Sequence, residues 1–243
     1  MIALLLAAAW AADRVPVGPG VYEPLYPPSP EEARIPVPRF LLAVEPVTNE
    51  EYAAFVEENP AWGRGVARLY ADEGYLDDWA APDAPGASVL PDAPVTRVSW
   101  YAARAYCRSV GGRLPTEGEW EIAGAASETS WDARKDPHFL ARLLAWYGSP
   151  TPRVLPAVGG MANRWGVRDL HGLVWEWVED FNASLVDVDP RGADGEARFC
   201  GGGVVGATAV ADYAAFMRLA LRASLQADST VRNLGFRCAL DGP

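Results

Sequence analysis

The side chains of this sequence that could do chemistry are few. Its two histidines are His138 and His171. His171 has the ordinary pKa of a general base, but no carboxylate or nucleophile stands at a recognisable spacing from it, so between Leu170 and Gly172 it reads as a turn residue. His138 follows Asp136-Pro137 and reads as loop surface. The three cysteines are Cys107, Cys200 and Cys238. Cys200 precedes three glycines with no neighbouring His or Lys to lower its pKa, which suits a buried strand position better than a reactive thiol. An odd count permits one disulfide and one spare thiol, and the count alone does not pair them. Between Val204 and Leu225 the chain is alanine-rich and apolar, suited to walling a dry pocket or presenting a flat surface, and only Asp212 and Tyr213 offer an acid or base there. Asp212, Tyr213 and Cys200 are therefore the candidate catalytic residues.

These residues must be positioned by a chain of 243 residues that is half hydrophobic, enough for a substantial core in one large domain or two small ones. Gly 23, Pro 21 and Trp 10 are all high counts, which argues against long helical bundles. A net charge of −11 repels nucleic-acid phosphates and anionic membrane surfaces, so neither is expected as a partner. Met1 to Trp10 is apolar, and Ala9-Trp10-Ala11 has the small-x-small pattern of a cleavage site. Residues 1–11 thus read as a signal peptide lacking a basic n-region, with a domain over 12–243 that is exported to the periplasm or outside the cell. The apolar run is about half the ~20 residues that a membrane span needs, and no other segment is long enough.

Prolines recur from Arg14 to Arg39 and predict an extended wrapping segment. Thr48-Asn-Glu-Glu51 is a capping box that opens a helix to about Glu58, with Tyr52, Phe55 and Val56 on one face. Residues 59–94 read as a packed irregular loop whose aromatics want burial. Ser99 caps a second helix with Ala103, Tyr106, Cys107 and Val110 as its core stripe, ended by Gly111-Gly112. Thr116 to Glu119 is a second capping box. Strands are expected at Val174–Val178, Arg198–Val205 and Asn233–Leu240. No domain boundary or internal repeat is visible.

Four segments, in this order, resemble the formylglycine-generating enzyme (sulfatase-modifying factor) family. They are Pro46 to Tyr52; Val98-Ser-Trp to Cys107 with Gly112-Arg-Leu-Pro-Thr-Glu-Gly-Glu-Trp120; Ala162-Asn-Arg-Trp-Gly to Gly172-Leu-Val-Trp-Glu-Trp177; and Asn233-Leu-Gly-Phe-Arg-Cys238. The resemblance implies an α+β, C-type-lectin-like single domain with short helices, short strands and much irregular structure. It implies that Cys107 pairs with Cys238 while Cys200 stays reduced. It places Val204 at a serine of the family motif and Ala209 and Ala214 at the two copper-binding cysteines, and no cysteine lies between Gly201 and Arg237. Copper and its oxidase chemistry are therefore expected to be absent, since Cu(I) is selected by soft thiolates. A histidine-held iron is also not expected from two histidines. Asp169, Gly172, Val174 and Glu176 coincide with a calcium site of the family, two side-chain oxygens and two carbonyls. Trp175 falls on a pocket wall, with Val204, Ala209 and Ala214 beside it.

The reading that follows is an exported family member, not an enzyme, that serves as a binding or structural module for a peptide, protein or small molecule. The alternatives are an enzyme of the same family that modifies an exported peptide or small molecule through a different site, and a variable ligand-display protein.

Overall fold

A computed structural model describes residues 14–27, 29–182 and 210–242, without the side chains of 210–212. The proposed signal peptide, Cys200, Val204, Ala209, the Asp212 side chain and the expected strand at 198–205 lie outside the described residues. The proline-rich start forms short antiparallel pieces. Strand β1 (Arg14–Val17) pairs with β4 (Phe40–Ala43), and β2 (Gly20–Tyr22) pairs with β3 (Ile35–Val37).

Both capping boxes form. Thr48 Oγ1 accepts from Glu51 N at 3.3 Å while the Glu51 carboxylate accepts from Thr48 N at 2.8 Å, which starts helix α1 (Asn49–Glu58). Ser99 caps α2 (Trp100–Ser109), which buries Ala103, Tyr106 and Cys107, and Gly111 takes a φ of 78° just beyond its end, where a side chain would be strained. Thr116 and Glu119 cap α3 (Glu117–Gly124) reciprocally. In the irregular stretch that follows α1, short strands β5 (Trp79–Ala81) and β6 (Ala84–Pro85) pair. Trp79 and Tyr75 are buried there as expected, and the Tyr52 and Tyr75 hydroxyls meet at 2.7 Å, but Tyr70 stays half exposed.

Two helices were not expected. Asp136 accepts from the His138 and Phe139 amides and Pro137 sits at the first helical position, so Asp136-Pro137 opens helix α4 (Pro137–Tyr147) instead of a loop. The alanine-rich run forms α5 (Val210–Ser224), which packs against α4. The late strands are shorter than expected. β7 (Trp175–Glu176) and β8 (Leu234–Gly235) pair in parallel, and β9 (Ala239–Asp241) completes the sheet β1-β4-β9. The alternation expected at 174–178 does not hold, because Val174, Glu176, Trp177 and Val178 are all buried.

The core joins Phe40 and Leu42 of β4 to Tyr52, Trp79, Tyr106, Trp177 and Phe236. The result is a mixed α+β domain of short elements and much irregular structure. Among the described residues no helix is long and apolar enough to cross a membrane. Cys107 and Cys238 form a disulfide that ties α2 to the chain just before β9, across a sequence separation of 131.

Cross-linking so long a loop restricts the unfolded chain, so the Cys107→Ala/Cys238→Ala variant should lose about 3–5 kcal/mol in guanidinium unfolding. Thiol titration of the denatured protein should count one thiol per chain before reduction and three after it, from the cysteines at 107, 200 and 238.

Candidate functional site

Three of the four family-like segments meet around one buried ion pair. Arg237, which enters after β8, sets its Nε and Nη2 on the Glu176 carboxylate of β7 at 2.8–3.0 Å, and both side chains are fully buried. Nη1 donates to Ala43 O and Val44 O, and Nη2 also reaches Arg168 O. The Trp120 indole of α3 donates to Glu176 Oε2 at 2.8 Å. Glu176 therefore serves an internal arginine.

The other carboxylate expected to bind calcium is engaged elsewhere. Asp169 sits at a φ of 58° and accepts from the Gly159 and Gly160 amides at 2.8 and 3.1 Å. Gly172 is exposed at a φ of 99° and the Val174 side chain is buried. Among the described residues no group of three or more His, Cys, Asp or Glu side chains is placed to hold a metal. The calcium expectation is corrected accordingly: the spacing matched the family, but backbone amides hold one carboxylate and an arginine with an indole holds the other.

Trp175 is half-buried, stacked 4.8 Å from Tyr147 and 5.0 Å from Trp146, both on α4. Ala214 of α5 is buried against Phe139, Leu140 and Leu143. Tyr213 is 41% exposed. The described members of the expected pocket are thus packed against α4, and Asp212 and Cys200 cannot be placed beside them.

The sequence reading missed the charges of α5. Arg218 holds Glu121 through two bonds, Nε to Oε1 at 2.8 Å and Nη2 to Oε2 at 2.7 Å, and its Nη1 donates to Tyr147 OH at 2.9 Å. Arg222 Nη1 reaches Glu117 at 2.7 Å and Glu121 at 2.9 Å. Burial by itself would raise the Glu121 carboxyl, but Arg218 and Arg222 outweigh it and draw the pKa down to about 2. At Glu117 burial prevails over Arg222 and the pKa is raised. The spacing Ala214, Arg218, Arg222 was a helical signal, hidden because its inward residues are charged.

Beside α4 runs a groove of about 230 Å³, with Phe139, Trp146 and Met161 as apolar wall and Glu128, Asn163 and His171 among its polar residues. Met161 is 67% exposed. His171 Nε2 donates to Gly124 O at 2.8 Å, which leaves Nδ1 as an acceptor, buried and without a partner among the described residues. Its ring lies edge-on to Trp120 and Phe139. Burial, helped by the Arg218 charge, lowers the His171 pKa to about 4, so the imidazole is neutral at physiological pH. This groove brings together Asp169, His171 and Gly172 of the expected residues, with α4, at whose start His138 was read as loop, as a wall.

Residues 13–242 match the sulfatase-modifying factor enzyme 1-like domain. The chain belongs to that family. A formylglycine-generating enzyme of Thermomonospora curvata is 32% identical over 67% of this chain and 61% of its own length. The inactive C-alpha-formylglycine-generating enzyme 2 of Bos taurus is 29% identical over 84% of this chain and 78% of its own. The chain thus spans about three fifths of the former relative. The crystal structure of CarF shares the fold, with a TM-score of 0.54 at 15% identity, covering 95% of this chain and 98% of that one. PvdO from Pseudomonas aeruginosa gives a TM-score of 0.50 at 16% identity over 94% and 93%.

The expectation of a family member without the cysteines for catalysis, and hence without copper or enzyme activity, is also corrected. The structure holds an intact cysteine pair, Cys107–Cys238. A want of cysteines is therefore no ground for excluding copper or catalysis, and Ala209, one of the two positions on which that expectation leaned, lies outside the described residues.

Two outcomes follow for the domain. Glu176→Gln should cost about 3–5 kcal/mol in equilibrium unfolding, because it leaves the fully buried Arg237 guanidinium uncompensated. An unfolded histidine titrates near pH 6.5, and His171 near 4 in the fold. Between those values the unfolded chain binds the extra proton, so stability is complete above about 6.5 and falls with pH by up to about 3 kcal/mol. His171→Gln, which keeps an N–H for Gly124 O, should flatten that part of the stability–pH curve.

Proposed function

We propose that this chain is an exported member of the sulfatase-modifying factor enzyme 1-like family that takes a peptide or small molecule in the groove beside α4. The observation that carries the reading is the groove itself: about 230 Å³ of space with an apolar wall and a few polar groups, the make-up of a small-ligand site. The exposed Met161 thioether and the half-buried Trp146 ring supply adaptable apolar contact. The His171 ring, neutral at physiological pH, forms part of the wall.

Export accords with the Cys107–Cys238 disulfide, a bond that persists in oxidising compartments. We read the scaffold as C-type-lectin-like, with irregular segments shaping the site. The T. curvata relative is named a formylglycine-generating enzyme, and the present reading gives this chain the ligand class, a peptide or small molecule, without assigning that reaction.

Titration with a library of aromatic and aliphatic fragments, followed by indole 15N NMR, tests the reading. The Trp146 resonance should move saturably, and Met161→Glu should weaken binding at least about tenfold, equivalent to 1.4 kcal/mol. Fragments that bind while Trp146 stays unmoved, or binding indifferent to Met161→Glu, would place the ligand elsewhere.

A further inference from the structure

Helix α5 is inverted relative to an ordinary surface helix. Its buried stripe runs Ala214, Arg218, Arg222 and on to Leu225, while Phe216, Met217, Leu219 and Leu221 remain only half-buried. Amphipathic helices normally turn the apolar stripe inward and the charges outward. The two inward guanidiniums, four residues apart, enter a pocket built by the rest of the domain. Glu117 and Glu121, one turn apart on α3, supply the carboxylates, and the Trp120 ring lies 5.8 Å from one guanidinium and 5.2 Å from the other. Tyr147 of α4 accepts from Arg218. Tyr22 of β2 and Asp180 also face Glu117, the latter by accepting from the Glu117 amide at 2.7 Å.

Paired carboxylates, an aromatic face and a phenolic acceptor are the means by which proteins recognise a planar guanidinium. As a device for stability alone the arrangement is poor, because the desolvation of buried ions offsets most of their attraction and apolar side chains would hold the helix as well. Under α5, between Trp120, Trp175, Trp177 and the two arginines, there is space of only about 10 Å³, the volume of one water. A ligand reaches the carboxylates only by taking the place of α5.

We propose that Glu117, Glu121 and Trp120 form a guanidinium-binding site that α5 occupies in cis, and that a partner helix presenting arginines four residues apart docks there by displacing α5. Arg218 and Arg222 are then the chain's own stand-ins for the partner. The site is separate from the groove and does not depend on the reading given to it.

The test uses the full chain and a fluorescein-labelled peptide of residues 213–225, beside the same peptide with leucine at both arginine positions. Ala220→Pro interrupts α5 and leaves every pocket residue in place. The arginine peptide should bind this variant at least about tenfold more tightly than it binds the wild type, the leucine peptide should not bind, and adding Glu121→Gln should abolish the gain. Hydrogen exchange on the wild-type chain keeps the proposal falsifiable where the proline variant fails to fold: saturating arginine peptide should accelerate exchange of the α5 amides and not those of β4. Equal affinity for both peptides, no gain in Ala220→Pro, or α5 amides indifferent to the peptide would make the arginines a fixed staple and overturn the proposal.

Discussion

The pairing of Arg237 with Glu176 is the constraint on which the rest of the domain depends. Among the described residues there is no long ladder to fix the strands: β7 and β8 are two residues each, and the central sheet has three strands of three or four residues. Short strands leave backbone carbonyls without sheet partners, and a buried carbonyl must find a donor. Arg237 supplies them in one place, with bonds to Ala43 O, Val44 O and Arg168 O beyond the Glu176 carboxylate. Lysine could not do this, since it lacks a planar fork of five donors. Trp120 completes the unit and brings α3 to it. With α3 fixed, Glu117 and Glu121 face α5 and Gly124 O faces His171.

A chain with a net charge of −11 has acid to spare, so the cost of burying its arginines is met by carboxylates placed close to them. Arg218, Arg222 and Arg237 are each buried and each lies within 2.8 Å of a carboxylate oxygen. What differs is the attachment. Arg237 is anchored in three backbone carbonyls of two segments, whereas Arg218 and Arg222 answer to side chains of α3 and α4. The first arrangement fixes a core, and the second fastens one helix to a surface.

What was legible in the sequence follows from how local each signal is. The capping boxes at Thr48 and Thr116 and the Ser99 cap involve residues three apart, so they survive any tertiary context. The segments around Cys107 and Arg237 carried the resemblance, and with it the disulfide pairing. Helix α4 was missed although Asp136-Pro137 is a good helix start, because the same dipeptide also starts turns. Helix α5 was missed because an inward stripe of arginines carries no hydrophobic period. The calcium reading failed for a different reason: a carboxylate's partner is a tertiary fact, and nothing near Glu176 in sequence announces an arginine sixty-one positions away.

Helix α4 joins the two regions that this structure makes interesting. Trp146 lines the groove, its neighbour Tyr147 holds Arg218, and both rings lie against Trp175. Successive residues on a helix point about 100° apart, so a rotation of the C-terminal turn of α4 that relaxed one contact would strain the other. His171 links them a second time, with its ring against Phe139 in the groove and its charge state governed in part by Arg218. Occupation of the groove and seating of α5 therefore share one aromatic stack and one imidazole.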